Sequence, residues 1–156
     1  MILDRHPQTQ FLCPAMESEE RAKQWLADLQ IGGAVQLLPR QSRPQMAELF
    51  RRSHLVVSPT THDGTPNTLL EGMACGCFPV AGDLESLREW ISAGVNGLLV
   101  DPRDPQALAD AVCKALEDRA LRQRAVEHNA RLIAERAEYW KVMASAVHFY
   151  REVLGK

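Results

Sequence analysis

Over its first hundred residues the chain alternates short apolar runs with amphipathic segments, a pattern that few folds satisfy. The apolar runs predict strands, and the segments between them carry apolar residues at helical spacing. Short connections join successive segments. Strands that alternate with helices in this way are typical of a parallel, doubly wound α/β sheet. The predicted strands are 9–13, 34–38, 55–58, 78–81 and 98–100, and the predicted helices are 17–30, 42–52, 66–75, 83–90, 105–117 and 119–153, the last with a break near 136–139.

Length and composition indicate one ordinary globular domain. The chain has 156 residues, of which 46% are hydrophobic, and a formal net charge of −2. A near-neutral chain lacks the basic surface of a nucleic-acid binder. The start of the chain lacks the pattern of a signal peptide and no apolar run has the length of a membrane span, so we expect a cytoplasmic protein without a transmembrane segment. Cys13, Cys75, Cys77 and Cys113 form no Cys-x-x-Cys pair and are interpreted as reduced core residues.

The loop after the third predicted strand, residues 58–66, is the first place to look for a site, because doubly wound sheets bind ligands beyond the carboxyl ends of their strands. Thr65 is a good N-cap and Pro66 a good first helical residue. The free backbone N–H groups at the start of the following helix, near Asn67 and Thr68, then form an anion site together with the helix dipole. Gly64 lets a ligand approach the backbone closely. We expect Asp83 and Asp104 to cap two later helices in the same way.

Glu71 lies one helical turn after Asn67 and leans back toward the loop, because helical side chains tilt toward the N-terminus. A carboxylate there can accept two hydrogen bonds from a ribose diol while the helix end holds a phosphate. His62 could hydrogen-bond a ligand phosphate or hydroxyl. The plainer alternative is a capped helix of the kind found in every α/β protein, with Glu71 and His62 simply solvated. The chain has no G-x-G-x-x-G fingerprint.

Three segments together resemble the C-terminal domain of retaining GT-B glycosyltransferases, the large group 1 or GT4-like family. The first runs from Asp63-Gly64 through Glu71-Gly72-Met73-Ala74-Cys75-Gly76 to Phe78-Pro79-Val80-Ala81. The second is Gly94-Val95-Asn96-Gly97-Leu98-Leu99-Val100, and the third begins at Asp101-Pro102 and ends at Ala109. The order and spacing of the three segments carry the resemblance, which covers about residues 34–117 and, more loosely, the whole chain.

The resemblance assigns roles to the two acids of the first segment, which stand eight positions apart. It implies that Glu71 grips the ribose hydroxyls of a sugar nucleotide and that Asp63, beside the donor sugar, is the catalytic acid position. The family usually has Glu at both positions, so Asp63 is one methylene shorter. The backbone of Gly64, Thr65, Pro66, Asn67 and Thr68 would face the diphosphate and sugar, with His62 nearby. Arg40, in the turn after the second strand, would border the base.

The chain departs from the family pattern in two ways. The earlier strand and loop of the family, of the type Gly-Arg followed by Lys-Gly, supply phosphate-binding cations and have no counterpart here. The chain also has no room for the family's N-terminal acceptor domain. We therefore interpret residues 1–156 as a single C-terminal domain that begins after its first strand and most of its first helix, with a core at about 9–117 and C-terminal helices at about 118–153.

The resemblance implies the donor-binding domain of an enzyme that transfers a hexose from a nucleoside-diphosphate sugar to an acceptor hydroxyl. It further implies retention of configuration and no cofactor or essential metal. With the cationic loop and acceptor domain missing, we expect the isolated chain to be inactive. One alternative is a non-catalytic interaction or regulatory module that keeps the fold. Another is half of a sugar-nucleotide epimerase, for which the chain offers no identifiable acid set.

The last predicted helix carries an apolar stripe with three- and four-residue spacing: Trp140, Met143, Val147, Tyr150 and Leu154. The first interpretation of such a stripe is packing onto this same domain. The second follows from the resemblance, since the last helix of GT-B enzymes crosses to the N-terminal domain. Part of the stripe would then be exposed and could cause self-association.

Overall fold

The fold, described by a computed structural model for residues 1–62, 64 and 66–155, is a parallel α/β arrangement, as the alternating pattern predicts. Strands and helices alternate to residue 117 and are followed by two further helices. The strands are β1 Phe11–Cys13, β2 Val35–Leu37, β3 Leu55–Ser58, β4 Phe78–Gly82 and β5 Leu98–Val100. The helices are α1 Ile2–Arg5, α2 Glu20–Asp28, α3 Arg43–Arg52, α4 Asn67–Ala74, α5 Glu85–Arg88, α6 Pro105–Glu117, α7 Arg119–Arg136 and α8 Tyr139–Val153.

Hydrogen bonding divides the strands into two sheets. One contains β1 and β2, and the other has the order β3-β4-β5, with every pair parallel. The continuous sheet that we expected is therefore interrupted between the second and third strands of the chain. The carboxyl ends of β3, β4 and β5 lie at one edge of their sheet, so the loops after these strands are neighbours.

β4 is the centre of the core, since all five of its residues are buried. Two clusters pack on opposite faces of the larger sheet. The first joins Phe50 of α3 to Leu69, Leu70 and Met73 of α4. The second joins Phe78 and Val80 of β4 to residues of α6 and α7, among them Val112, Ala115, Leu121 and Ala125. Helices thus cover both faces of this sheet, as a doubly wound fold requires.

The unit formed by β1, α2 and β2 stands apart from this core. In the described part of the chain, neither cluster includes a residue of these three elements. Ala22, in α2, is the one buried residue within 1–49. The residues of β1 are all half-buried, which contrasts with the complete burial of β4. The amino-terminal unit therefore derives little of its stability from the main hydrophobic core.

Local signals predicted most helix ends correctly. Asp104 caps α6 by accepting bonds from the backbone N–H of Gln106 and Ala107. The break near 136–139 is confirmed, because α7 ends at Arg136 and α8 begins at Tyr139. The prediction that Asp83 caps α5 is wrong, because the N-cap of α5 is Leu84. The Asp83 carboxylate instead accepts two bonds from the Arg88 guanidinium, at 2.6 and 2.9 Å, and the hydrogen bond to Arg88 holds the pKa of Asp83 below its usual range.

The packing predicted for the apolar stripe of α8 is also wrong. No residue of α8 is buried. Trp140 is 75% exposed, and the other stripe residues, Met143, Val147, Tyr150 and Leu154, are exposed as well. None of the helices in the described residues has the length and apolarity needed to cross a membrane.

A buried pair of amides fastens α7 to the turn before β5. The side chains of Asn96 and Asn129 are almost completely inaccessible. Asn96 Nδ2 donates to Asn129 Oδ1 at 2.8 Å, and Asn129 Nδ2 donates to the Asn96 carbonyl at 3.0 Å. Asn96 also accepts from the Ser92 N–H and donates to the Trp90 carbonyl. A buried polar network of this kind is stable because its members satisfy one another.

We predict that Asn129→Ala lowers the free energy of unfolding by about 1–3 kcal/mol, because it leaves buried polar groups of Asn96 without partners. Urea unfolding followed by circular dichroism measures the change. Gln123→Ala is the matched control, since it removes an exposed amide from the same helix. Equal stability of the two variants would show that the amide pair does not hold the turn.

The four cysteines are free thiols, and Cys77 and Cys113 are buried as expected for core residues, whereas Cys13 and Cys75 are only partly buried. Cys77 is fully buried and its Sγ donates to the Phe50 carbonyl at 3.1 Å. Burial, with a smaller effect of Cys75, raises the pKa of Cys77 to about 12. Because this folded pKa exceeds the unfolded one, the contribution of Cys77 to stability is complete below the unfolded pKa. It is lost as pH rises from there toward 12.

We predict that Cys77 is alkylated at pH 8 only after unfolding, because both its burial and its raised pKa suppress the reactive thiolate. Iodoacetamide labelling followed by peptide mass spectrometry measures this. Cys75 is partly exposed and serves as an internal control. Labelling of Cys77 in the folded chain at the rate of Cys75 would contradict the prediction.

Candidate functional site

The loop after β3 runs across the carboxyl end of β4 and leads into α4. A Cβ atom on Gly82, the last residue of β4, would lie 2.4 Å from the Thr60 carbonyl oxygen. Only glycine therefore allows the loop to pass this close to the strand end. The hydroxyl oxygen of Thr60 is buried and has no hydrogen-bond partner among the described residues. Backbone contact with the sheet thus sets the path of the loop at Thr60.

The first turn of α4 presents backbone N–H groups without helical acceptors. The helix begins at Asn67, so Pro66 is its N-cap and not its first residue as expected. Leu70 N–H donates to the Pro66 carbonyl at 3.0 Å, and the N–H groups of Asn67 and Thr68 precede the first helical bond. Within the described residues no side chain caps α4, whereas Asp104, Asp118 and Glu138 cap the longer helices α6, α7 and α8. This end of α4 is available to an anion.

The side chains of α4 divide into a buried and an exposed face. Leu69, Leu70 and Met73 lie in the core. The polar residues Asn67, Thr68 and Glu71 are exposed, and Glu71 makes no ion pair in the described part of the chain. The predicted placement of Glu71 and Asn67 on one helix, one turn apart and accessible, is thus present.

Close contact with β3 sets the position of α4. Gly72 is buried, and a Cβ atom there would lie 3.0 Å from both Cβ and Cγ1 of Val56. Glycine therefore brings the helix axis nearer to the strand than a larger residue would. Since Gly72 follows Glu71 directly, this contact also fixes where the Glu71 backbone lies relative to β3.

Two of the predicted site residues, Asp63 and Thr65, lie outside the described residues. His62 is exposed and lines an open cleft of about 350 Å³ between the loop and α5. The other lining residues are Thr61, Leu84, Glu85, Ser86 and Glu89. Sequence reasoning missed Glu85, Ser86 and Glu89, although the rule that pointed to the loop after β3 applies equally to the segment after β4.

Arg40 belongs to the other sheet. It follows β2 and is exposed. The carbonyl of the preceding residue, Pro39, accepts hydrogen bonds from the Ala15 N–H and from the Gln41 side chain. The described site residues in or just before α4 are therefore His62, Gly64, Pro66, Asn67, Thr68 and Glu71, whereas Arg40 follows a strand of the smaller sheet. The described residues contain no group of three or more His, Cys, Asp or Glu side chains arranged to hold a metal ion.

The family model for glycosyl transferases group 1 matches residues 8–132. The chain therefore belongs to the group 1 glycosyltransferase family. This match includes β1 to β5 and most of α7, together with every residue of the candidate site.

Two curated relatives are D-inositol 3-phosphate glycosyltransferases. The enzyme of Thermobispora bispora is 35% identical over 109 residues, which are 67% of this chain and 26% of the relative. The enzyme of Corynebacterium jeikeium is 30% identical over 161 residues, which cover 98% of this chain and 38% of the relative. The chain thus spans between a quarter and two fifths of the length of these relatives.

Solved structures share the fold at low sequence identity. Sucrose-phosphate synthase from Thermosynechococcus elongatus matches with a TM-score of 0.89 and 20% identity over 99% of this chain and 41% of that one. Anabaena HepE, in complex with UDP and glucose, matches with a TM-score of 0.82 and 18% identity over 97% and 44%. The C-terminal domain of a Francisella tularensis group 1 protein matches with a TM-score of 0.75 and 19% identity over 88% and 74%. The fold is that of the C-terminal half of a GT-B glycosyltransferase.

We predict that Gly72→Ala lowers the free energy of unfolding by about 1–3 kcal/mol, because the added methyl group overpacks the contact between α4 and β3. Val56→Ala in the same chain should recover part of this loss, since it removes Cγ1 and Cγ2 of Val56 and leaves only its Cβ in close contact. A double-mutant cycle in urea measures the coupling. Gly33→Ala is the control, because a Cβ there meets no atom within 4 Å. Additive effects of the two substitutions would refute the contact.

Proposed function

We propose that this chain binds the nucleoside-diphosphate part of a sugar donor at the start of α4. The observation that carries the proposal is the first turn of α4, whose backbone N–H groups lack a side-chain cap among the described residues. The exposed Glu71 lies one turn further on. Membership of the group 1 family supports it. The complex of Anabaena HepE with UDP and glucose, on a shared fold, supports it too.

Each part of the site would hold a different part of the donor. The N–H groups and positive dipole end of α4 suit the diphosphate, which carries the largest negative charge. The Glu71 carboxylate suits the ribose, because one carboxylate can accept bonds from both hydroxyls of a diol. Asp63 remains the proposed acid beside the donor sugar, with Gly64, Thr65 and His62 near it. Arg40 is proposed to border the base.

For the whole protein we propose transfer of a hexose from the donor to an acceptor hydroxyl, with retention of configuration and without an essential metal. During transfer, negative charge builds up on the leaving diphosphate, and the first turn of α4 would stabilise it electrostatically. An acceptor-binding domain would be supplied from outside residues 1–156, because the relatives are much longer than this chain. We accordingly expect the isolated chain to bind the nucleotide weakly and to be inactive. A cytoplasmic location fits a sugar-nucleotide substrate.

We predict that UDP, GDP or ADP causes saturable amide shifts at Gly64, Asn67 and Thr68 in an NMR titration. Glu71→Ala should weaken binding about 10- to 100-fold, because hydrogen bonds to a charged group contribute about 1.5–3 kcal/mol. Glu135→Ala, which removes an exposed carboxylate from α7, is the matched control. Comparison of the three nucleotides identifies the preferred base.

Unchanged affinity of Glu71→Ala would refute the ribose role while leaving the phosphate role in place. An absence of shifts at millimolar nucleotide would refute donor binding by this chain. That result would favour the second candidate, a non-catalytic interaction module that keeps the fold. The aspartate at position 63, where the family usually has Glu, favours this second candidate.

A further inference from the structure

A second open cleft, of about 420 Å³, lies between α7 and the turn before β5. Gly94 and Val95 of the turn form one wall, and an exposed face of α7 forms the other. The turn stands at the amino end of β5, whereas the loop before α4 follows the carboxyl end of β3. Since β3, β4 and β5 are parallel, the cleft lies at the opposite edge of the sheet from the candidate donor site.

The helical wall of the cleft carries mainly cationic and hydrogen-bonding side chains. Its four residues are Arg124, Glu127, His128 and Arg131, all of them exposed. Arg124, His128 and Arg131 stand at positions i, i+4 and i+7, so they share one face of the helix. The wall therefore offers two guanidinium groups and an imidazole against a single carboxylate.

The two guanidinium groups of the cleft are not used by the rest of the described structure. Neither Arg124 nor Arg131 makes an ion pair with a described residue. Arg131 donates only its Nε, to the Glu127 carbonyl at 3.3 Å, which leaves its Nη groups available. By contrast, Arg122 and Arg136 of the same helix donate to backbone carbonyls of other segments. The arginines of the cleft thus retain their capacity to bind an anion.

Positive charge is concentrated on α7 in a chain that is slightly acidic. Five arginines and two glutamates give residues 119–136 a formal charge of +3, whereas the whole chain has −2. Charge of one sign along a concave surface raises the local concentration of counter-ions there. The cleft is therefore a place where a small anion gathers although the protein as a whole repels it.

The buried amide pair holds the two walls of the cleft in place. Asn96 follows Val95 of the turn, and Asn129 follows His128 of the helix. The two asparagines bond to each other at 2.8 and 3.0 Å. The backbone of both walls is thus fixed before any ligand arrives. A site that is organised in advance loses less conformational freedom on binding.

We propose that this cleft binds the phosphate group of a small soluble phosphomonoester. The guanidinium groups of Arg124 and Arg131 clamp the phosphate, since their planar forks match its oxygens, and His128 donates a further hydrogen bond. The cleft is larger than one phosphate needs and has the size of small-molecule sites, so the remainder of the ligand lies against Val95. An anionic membrane suits the cleft less well, because Glu127 and the net charge of −2 oppose it.

An amide-shift NMR titration of the full chain tests the proposal with inorganic phosphate, glycerol 3-phosphate and uncharged glycerol. We expect both phosphates to cause saturable shifts at Gly94, Val95 and His128, with glycerol 3-phosphate saturating at the lower concentration, and glycerol to cause none. Arg124→Ala and Arg131→Ala should each weaken binding about tenfold, because each removes hydrogen bonds between charged groups.

Two further variants separate binding from an effect on the fold. Arg119→Ala is the matched control, since it removes an exposed arginine of α7 that does not line the cleft, and it should leave the affinity unchanged. Glu127→Gln should tighten binding about two- to fivefold, because it removes the one negative charge of the helical wall. A merely structural role of these side chains predicts no such gain. All of the variants should fold, since the substituted side chains are exposed.

Three results would overturn the proposal. The first is an absence of saturable shifts at Gly94 and Val95 with millimolar glycerol 3-phosphate. The second is an equal loss of affinity in Arg119→Ala and Arg124→Ala. The third is sedimentation with vesicles of phosphatidylcholine and phosphatidic acid in the absence of binding to glycerol 3-phosphate, which would identify a lipid headgroup as the ligand. Shifts at Asn67 and Thr68 report on the donor site and should not respond to Arg124→Ala, so the two proposals fail separately.

Discussion

The burial of β4 between two helical layers is the constraint on which the rest of the fold depends. β4 is hydrogen-bonded on both sides, and its alternating side chains enter different clusters, with Phe78 and Val80 facing α6 and α7. Ala81 contributes to the opposite cluster, with α3 and α4. A strand in this position tolerates Pro79 because β5 pairs with β4 only from Val80 onward. The Pro79 ring in turn requires glycine at position 97, where a Cβ would lie 2.7 Å from it.

The position of the candidate site follows from this packing. α4 lies against β3 through Gly72 and against the core through Leu69, Leu70 and Met73. A helix so placed has no freedom to rotate, so its other face, with Asn67 and Glu71, remains in solvent. Its first turn meets a loop that itself passes close to the end of β4. Core side chains that would not touch a ligand thus determine where a bound anion would lie. Binding groups in proteins are commonly positioned by a rigid scaffold in this way.

Local features of the sequence predicted the local structure, and long-range contacts account for what was missed. The strands, the cap at Asp104 and the break between α7 and α8 each depend on a few neighbouring residues. Asp83 was misassigned because its carboxylate bonds to the Arg88 guanidinium, five positions away, and not to the start of α5. The contact between Asn96 and Asn129 spans 33 positions. The division into two sheets depends on which strands meet, and no single run of residues specifies that.

Unequal packing along the chain has a dynamic consequence. Residues from Phe50 to α7 share a buried core, whereas the described residues of β1, α2 and β2 contribute nothing to it. Segments with few buried apolar contacts open at lower free energy than the global unfolding of a domain. The β1-α2-β2 unit is therefore expected to open before the main core unfolds.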